Sequence, residues 1–233
     1  MSLTRGQQAI IAISALVTVV LIGLGVWQVQ RLGWKLDLIA RVDERVAAQP
    51  VAAPGPADWP ALTESADEYR RVTVSGRYAE GQDTLVQAVT ALGPGFWVMT
   101  PLTTDDGWTL LINRGFVAAD NRDDRPLPPG EVAVTGLLRL SQPDGAFLRA
   151  NDPAAERWYS RDTAAIAETR GLSNTAPYFI DADRAGDAQP VGGLTVIHFR
   201  NNHLSYALTW FAMAAGLVLL TTFALRRDKS RSE

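Results

Sequence analysis

The sequence predicts an α+β membrane protein in which two transmembrane helices flank an antiparallel β-barrel or sandwich-like domain. Two uncharged stretches lead to this prediction: one lies between Arg5 and Arg31, and the other runs from Leu204 to Leu225. As a helix rising about 1.5 Å per residue, each stretch is long enough to cross a hydrocarbon core of about 30 Å. Short β-type segments separated by turn residues predict the domain between them.

The charges beside the two stretches predict an orientation. Basic residues precede the first stretch and follow the second, which places both termini in the cytoplasm and the middle outside. The first apolar stretch is long for a signal peptide, and no small-x-small cleavage site follows it before Leu38, so we expect an uncleaved anchor. No Arg- and Ser-rich leader precedes it, which favours a bacterial inner membrane with a periplasmic central domain.

These observations divide the chain into four parts. Residues 1–30 form an N-terminal tail and the first transmembrane helix, and residues 31–200 form the periplasmic domain. Residues 201–225 form the second transmembrane helix, and residues 226–233 form a basic cytoplasmic tail. The apolar residues after Arg31 recur at steps of three or four, so we expect an amphipathic helix that ends near Gln49. The proline-rich run that follows predicts an extended linker.

The domain is expected to be built from about seven short strands. Strand-forming residues between turn signals predict antiparallel hairpins, and an alanine-rich stretch predicts one short helix. Closure of the sheet would remove its exposed edges, but the sequence leaves barrel and sandwich open. The predicted strands are residues 71–78, 84–90, 96–103, 108–117, 132–140, 178–181 and 194–199, and the helix is residues 163–169.

Composition excludes several classes of function. The chain has no cysteine, which excludes disulfides, thiolate metal sites and cysteine nucleophiles. Between Arg31 and Arg200, 23 acidic residues outnumber 17 basic ones, which argues against nucleic acid as a partner. No phosphate loop, zinc spacing or nucleophile elbow is present, so we do not expect an enzyme. The acid pairs at 105–106 and 123–124 are predicted to be solvated turn residues.

His203 lies at the edge of the second uncharged stretch. On a helix it shares one stripe with Tyr206, Ala207 and Trp210, which together form a wall that suits a flat cofactor. The alternative is that His203 is an interfacial anchor or an interhelical hydrogen-bonding group, and that the aromatic residues belong to the belt at the membrane surface. The spacing alone leaves both interpretations open.

Two sequence blocks carry a resemblance to a known family. The block GVWQVQRLGWK begins at Gly25, and the block NHLSYALTWF begins at Asn202. Together they resemble the paired signatures of the Surfeit-locus-one family, called Shy-type in fungi. The segments GFWVMTPL from Gly95 and NRGFV from Asn113 are similar to the inner strand motifs of that family, so the resemblance runs through nearly the whole chain.

The resemblance implies an assembly factor for haem A-containing cytochrome c oxidase. It implies that haem A is bound in transit and handed to the catalytic subunit of the oxidase, with haem A synthase as a further candidate partner and lipid around the two helices. A cofactor-free structural scaffold for the core subunit is the alternative. An envelope enzyme acting on lipid or haem is a third possibility, which the missing nucleophile and base set disfavours.

Within this interpretation His203 would be the axial ligand of the haem iron, with Tyr206, Trp210 and Trp27 as flat neighbours. Arg31 and Arg200 would pair with propionates, although anchoring to lipid phosphate is an equally good role for either arginine. Three further residues have simpler expected roles: His198 is predicted to be a sheet residue rather than a second ligand, and Asn201 and Asn202 are predicted to cap the second helix.

Overall fold

The structure is a computed structural model that describes residues 4–143, 149–186, 188–195, 197 and 199–231, with side chains as far as residue 227. The chain divides into two compact units. One, the helical unit, contains Met1–Arg41 and His198–Glu233, and the other, the β-domain, contains Val42–Ile197. Each unit is described by itself below.

Four α-helices and seven strands make up the described chain. Two of the helices are long, with 43 residues in the first and 29 in the last. The helices are α1 Arg5–Ala47, α2 Glu64–Asp67, α3 Thr163–Thr169 and α4 His203–Arg231. The strands are β1 Val51–Ala52, β2 Arg71–Tyr78, β3 Thr84–Thr90, β4 Gly93–Thr104, β5 Thr109–Ala118, β6 Val132–Leu140 and β7 Thr175–Ala182.

The sheet closes on itself. Its strand order is β1-β2-β6-β7-β5-β4-β3, and β2 also pairs with β4, opposite Thr103 and its neighbours. Strands β2, β6, β7, β5 and β4 therefore form a closed barrel, to which β1 and β3 add one strand each. The predicted fold class is confirmed, and the structure has the barrel rather than the sandwich form. Closure leaves the backbone groups of those five strands paired on both sides.

Not every strand pair is an antiparallel hairpin. Strand β7 runs parallel to β5, and β1 runs parallel to β2. A parallel pair needs a long connection, and the chain between β5 and β7 supplies one because it contains β6 and α3. The sequence predicted strands at the positions of β5 and β7 but not their parallel pairing.

The alternation of side chains along the strands produces two hydrophobic cores. Leu110 and Ile112 of β5 lie in one core with Tyr178 of β7, and this core contains Leu138 and Leu102 as well. The residues between them face the other way, since successive side chains on a strand point to opposite faces. They form a second core, whose buried members are Val86, Met99, Leu111, Trp158, Ile166 and Phe179.

A buried carboxylate ties three strands and two loops together beside the second core. Asp181 of β7 accepts hydrogen bonds from Arg139 at 2.8 Å and from Arg161 at 3.0 Å. Asn113 of β5 donates to the same carboxylate at 2.7 Å, and Thr195 donates at 2.9 Å. Only 3% of the Asp181 side chain is exposed. Four donors thus converge on one buried anion.

Glu68 completes the charge balance of this cluster. Its carboxylate binds the Nε of Arg139 at 2.7 Å and the backbone N–H of Leu140 at 2.8 Å. Burial by itself would lower the pKa of Arg139, but Asp181 and Glu68 outweigh it and raise that pKa above its usual value. Burial lowers the pKa of Arg161, which stacks 4.7 Å from the ring of Phe179. Two cations and two anions therefore neutralise one another.

The proline-rich run differs from the predicted linker because it packs on the barrel. The carbonyl of Pro54 accepts the hydroxyl of Tyr178 at 2.8 Å and the indole N–H of Trp59 at 3.1 Å. The ring of Trp59 meets Trp108 edge to face at 5.9 Å. Burial raises the pKa of Tyr178, so its hydroxyl stays protonated and keeps this bond.

The strand predicted at residues 194–199 is not found among the described residues of that range, and positions 196 and 198 lie outside them. The chain instead approaches β5 earlier, where Val191 and Phe116 exchange backbone hydrogen bonds of 2.9 and 3.0 Å. Gly115 permits this approach. It has a φ of +133°, and a Cβ there would lie 2.4 Å from the Val191 carbonyl.

We predict that Asp181→Asn destabilises the β-domain by about 3–5 kcal/mol, because it leaves Arg139 and Arg161 buried without their shared counterion. Denaturant unfolding of the full-length protein, followed by tryptophan fluorescence, measures the change.

Asp123→Asn is the matched control for this variant. The Asp123 side chain is 90% exposed and lies 3.2 Å from Arg125, so its loss should change the unfolding free energy by at most about 1 kcal/mol. Equal losses in the two variants would contradict the role assigned to Asp181.

Candidate functional site between the two apolar helices

The helical unit exposes a large apolar surface. Helix α1 and residues His203–Arg227 of α4 are both long and apolar enough to span a membrane, and only 6% of each apolar window is buried. Leu16, Val19 and Leu219 are each about two-thirds exposed. A core helix of a soluble protein would bury such residues, so the two helices indicate membrane insertion.

The two helices pack antiparallel. Ser14 and Thr221 join their hydroxyls at 3.0 Å, and Gln28 meets His203 at 2.8 Å. As the residue number rises on α1, the number of its partner on α4 falls. The end of the apolar part of α1 therefore faces the start of α4.

Less exposed residues recur at alternating steps of three and four along both helices, which is the repeat of a coiled-coil seam. Small residues hold the helices close: Ala207 and Ala214 are buried, and a Cβ on Gly25 would lie 2.5 Å from the ring of Phe211. We call this contact the seam. Its residues include Ile11, Ser14, Thr18, Leu21, Gly25 and Gln28 on α1, and His203, Ala207, Trp210, Ala214, Leu217 and Thr221 on α4.

His203 is the first residue of α4 and lies half-buried at one end of the seam. Its Nδ1 lies 2.8 Å from the amide oxygen of Gln28, a residue that is 9% exposed. With the amide oxygen placed toward Nδ1, the tautomer that makes this hydrogen bond carries its proton on Nδ1, because an amide oxygen only accepts. In the neutral ring the other nitrogen, Nε2, then carries a lone pair, and it makes no hydrogen bond with any residue that the structure describes.

The structure separates the predicted aromatic wall into two parts. Trp210 is half-buried in the seam, about two helical turns beyond His203. Tyr206 is 54% exposed and Trp27 is 52% exposed, so both lie outside the seam. Of the predicted stripe, His203, Ala207 and Trp210 face α1, whereas Tyr206 does not.

The two predicted arginines are both exposed. The guanidinium of Arg31 lies 4.6 Å from the ring of Trp34 on its own helix. Lys35 lies 4.7 Å from the ring of Phe199, the residue before Arg200. Three cations therefore lie near the ends of the apolar helices where they face each other, on the same side as His203.

Gln28 is the site residue that the sequence prediction missed. It belongs to the recognised block from Gly25, and it lies on the same three-and-four spacing as Gly25 and Leu21. A polar residue at a seam position is the signal that could have identified it, because polar groups between membrane helices seek a partner.

Other predictions near the site have mixed outcomes. Asn202 precedes α4 and contacts its first turn through the backbone carbonyl. That carbonyl accepts hydrogen bonds from the N–H of Tyr206 at 3.2 Å and from the Ser205 hydroxyl at 2.8 Å. The amide oxygen of Asn201 is buried without a hydrogen-bond partner in the described chain. His198 lies outside the described residues. Among the residues described, no three His, Cys, Asp or Glu side chains cluster as a metal site would require.

Two apolar helices with a partly buried His–Gln contact, joined in sequence by a closed barrel, define a membrane-inserted class rather than a soluble one. The chain belongs to the SURF1 family, whose model matches residues 15–215. This confirms the resemblance found in the sequence.

Three relatives illustrate the similarity. The chain is 38% identical to Surfeit locus protein 1 of Mus musculus over 215 residues, which cover 83% of this chain and 68% of the relative. It is 37% identical to the Homo sapiens protein of that name over 223 residues, with coverage of 86% and 72%. A SURF1-like protein of Monosiga brevicollis is 33% identical over 236 residues, with coverage of 93% and 87%.

We predict that a Ser14→Cys, Thr221→Cys variant forms an intramolecular disulfide under mild oxidation, because the two hydroxyls it replaces are 3.0 Å apart. The chain has no other cysteine, so protection of both thiols from a maleimide-polymer reagent measures the bond directly.

The control pairs Ser14→Cys with Leu220→Cys, whose position is 69% exposed and points away from the seam. Equal oxidation of the two pairs, or none in the first, would show that the helices do not pack in this register.

Proposed function

We propose that this protein is a non-enzymatic assembly factor for haem A-containing cytochrome c oxidase, and that it binds haem A in transit with His203 as the axial ligand. Membership of the SURF1 family supports the assembly role, and the hydrogen bond between Gln28 and His203 supports the choice of ligand. Haem iron accepts an imidazole nitrogen as an axial ligand.

The Gln28 contact prepares His203 for this role. Ring nitrogens that bind metals usually have their opposite N–H held by a hydrogen bond, which fixes the tautomer and the ring orientation. Gln28 provides that bond at 2.8 Å and is itself buried, so its own rotation is restricted. The hydrogen bond therefore holds the imidazole in an orientation from which Nε2 can bind a metal.

The surroundings of His203 fit a flat amphipathic molecule with acidic groups. Trp27 and Tyr206 are half exposed and offer aromatic faces, which pack well against another ring. Arg31 and Arg200 are exposed cations, and a guanidinium binds a carboxylate with two parallel hydrogen bonds. In this proposal the arginines bind the propionates, and the aromatic side chains contact the macrocycle.

The placement in the cell belongs to the same proposal. We place the helices in a bacterial inner membrane, and the charges beside them favour an orientation with both termini in the cytoplasm and the β-domain in the periplasm. The catalytic subunit of the oxidase would receive the haem, haem A synthase is a candidate donor, and lipid surrounds the helices.

A cofactor-free scaffold for the oxidase core subunit is the second candidate. One observation favours it: His203 already makes the interhelical hydrogen bond that a purely structural histidine would make. In that case the β-domain and helices would hold a partner subunit, and Nε2 would have no ligand to bind.

We predict that His203→Ala protein, purified from haem A-producing cells, lacks the bound haem of the wild type while inserting into the membrane at the same level. The iron loses its nitrogen ligand, whereas the small residues of the seam remain. Gln28→Leu should weaken haem affinity by about 10- to 100-fold, because the ring loses the bond that orients it. The visible absorbance spectrum and a haem titration measure these changes.

His198→Ala is the matched control, since the chain has only these two histidines. It should bind haem much as the wild type does, and Tyr206→Ala and Trp210→Ala should weaken binding more mildly. Haem content and spectrum unchanged in His203→Ala would exclude the ligand role. A wild type that never carries haem but still supports oxidase assembly would favour the scaffold.

A second prediction concerns orientation. Single cysteines introduced at Asp106 and at Thr4 report on the two sides, because the chain has no native cysteine. Asp106 lies in an exposed turn between β4 and β5, so Asp106→Cys should react with a membrane-impermeant maleimide in spheroplasts. Thr4→Cys should react only after the membrane is permeabilised. The reverse pattern would place the β-domain in the cytoplasm.

A further inference from the structure

Arg114 is another buried arginine of the β-domain, and the proposed function gives it no role. It lies in β5 and is 9% exposed. Its guanidinium donates to the backbone carbonyls of Arg125, at 3.3 Å, and of Pro126. It also lies 5.4 Å from the ring of Tyr78. These contacts use two of the five N–H donors of the side chain.

Arg114 differs from the other buried arginines in its counterion. Arg139 and Arg161 bind the carboxylate of Asp181 directly, whereas no carboxylate in the described part of the chain lies within 4.0 Å of Arg114. The carboxylate that most favours its cation is Asp83, which is bound by Arg125 at 2.9 Å and by the hydroxyl of Thr100. Burial accordingly lowers the pKa of Arg114. A buried cation without a bonded anion is costly.

A cavity of about 550 Å³ lies beside this cation. Its size falls within the range of small-molecule sites, which are mostly apolar with a few polar groups. The walls fit that description, because prolines, alanines and valines supply most of them. They include Pro126, Leu127, Val132, Val134 and Ala182.

Tyr78 supplies a second polar group in the cavity. Its hydroxyl makes no hydrogen bond with any residue in the described ranges. Burial raises the pKa of Tyr78 to about 12, so the hydroxyl is protonated at neutral pH and can donate. The cavity therefore combines one buried cation, one neutral donor and mostly apolar walls. Asp183, which pairs with Arg71, and the exposed Arg184 also line it.

We propose that this cavity binds a small monoanionic carboxylate with an apolar body, whose carboxylate pairs with Arg114 and accepts a hydrogen bond from Tyr78. A planar guanidinium matches a carboxylate with two parallel bonds. A monoanion cancels the single charge of Arg114, whereas a phosphate dianion would bring a second charge into apolar surroundings. This site is independent of His203 and of haem binding.

The test uses full-length protein in nanodiscs of zwitterionic lipid and three naphthalene probes: 2-naphthoate, neutral 2-naphthylmethanol and dianionic 2-naphthyl phosphate. Probe fluorescence gives the affinity after subtraction of empty nanodiscs. We expect saturable binding of 2-naphthoate at one site, and at least about tenfold weaker binding of the alcohol, which lacks the charge. Equal affinity for the alcohol, or tighter binding of the phosphate, would overturn the proposal.

Variants locate the binding at the cavity. Arg114→Gln should lose at least about tenfold in 2-naphthoate affinity, and Arg114→Lys should restore part of it. Ala133 lines the cavity from an exposed position, so Ala133→Trp should block binding while leaving Arg114 and the fold intact. Arg122→Gln is the control, because Arg122 is exposed and stacks on Phe96 away from the cavity lining.

Wild-type affinity in folded Arg114→Gln or in Ala133→Trp would overturn the proposal. Where Arg114→Gln fails to fold, Ala133→Trp and the three probes on the wild type decide the question. Loss of affinity in Arg122→Gln equal to that in Arg114→Gln would show that the probe senses surface charge instead of this cavity.

Discussion

Close packing along the seam is the constraint on which the candidate site depends. In hydrocarbon, two apolar helices gain little from burying apolar surface, so they approach only where small residues let them. Gly25, Ala207 and Ala214 provide these positions and fix the antiparallel register. Hydrogen bonds between membrane helices contribute only about 0.6 kcal/mol on average, so the Gln28–His203 bond orients the histidine rather than holding the helices together.

The β-domain handles buried charge in two different ways. Around Asp181 the buried charges are paired with one another inside the protein, and these bonds join β5, β6 and β7. Around Arg114 the protein supplies only neutral carbonyls and an aromatic ring. Arg114 and Arg139 are equally buried. They differ because Arg114 has no bonded carboxylate among the described residues and has a cavity beside it. The first arrangement stabilises the fold, and the second suits a ligand.

The sequence predicted local structure well because its signals are local. Strands 71–78, 84–90 and 132–140 and the helix at 163–169 have the predicted bounds, since turn residues and β-branched runs mark them. Partners distant in the chain were not predictable in the same way. Prolines suggested a free linker, but the Pro54 carbonyl meets Tyr178 from β7. Helical spacing placed Tyr206 on one stripe with His203, but spacing does not say which side faces the other helix, and Tyr206 lies outside the seam.

The two interpretations of His203 are compatible at the level of single atoms. The structural interpretation needs a hydrogen bond from one ring nitrogen, and Nδ1 makes it to Gln28. The ligand interpretation needs a lone pair on the other nitrogen, and the bond at Nδ1 is what leaves the lone pair on Nε2. In this arrangement His203 can hydrogen-bond to Gln28 through one ring nitrogen and bind a metal through the other. In the ligand interpretation, the bound molecule must also be accessible to a partner protein. The half-exposed rings of Trp27 and Tyr206 lie outside the seam, so a molecule that packs on them is accessible.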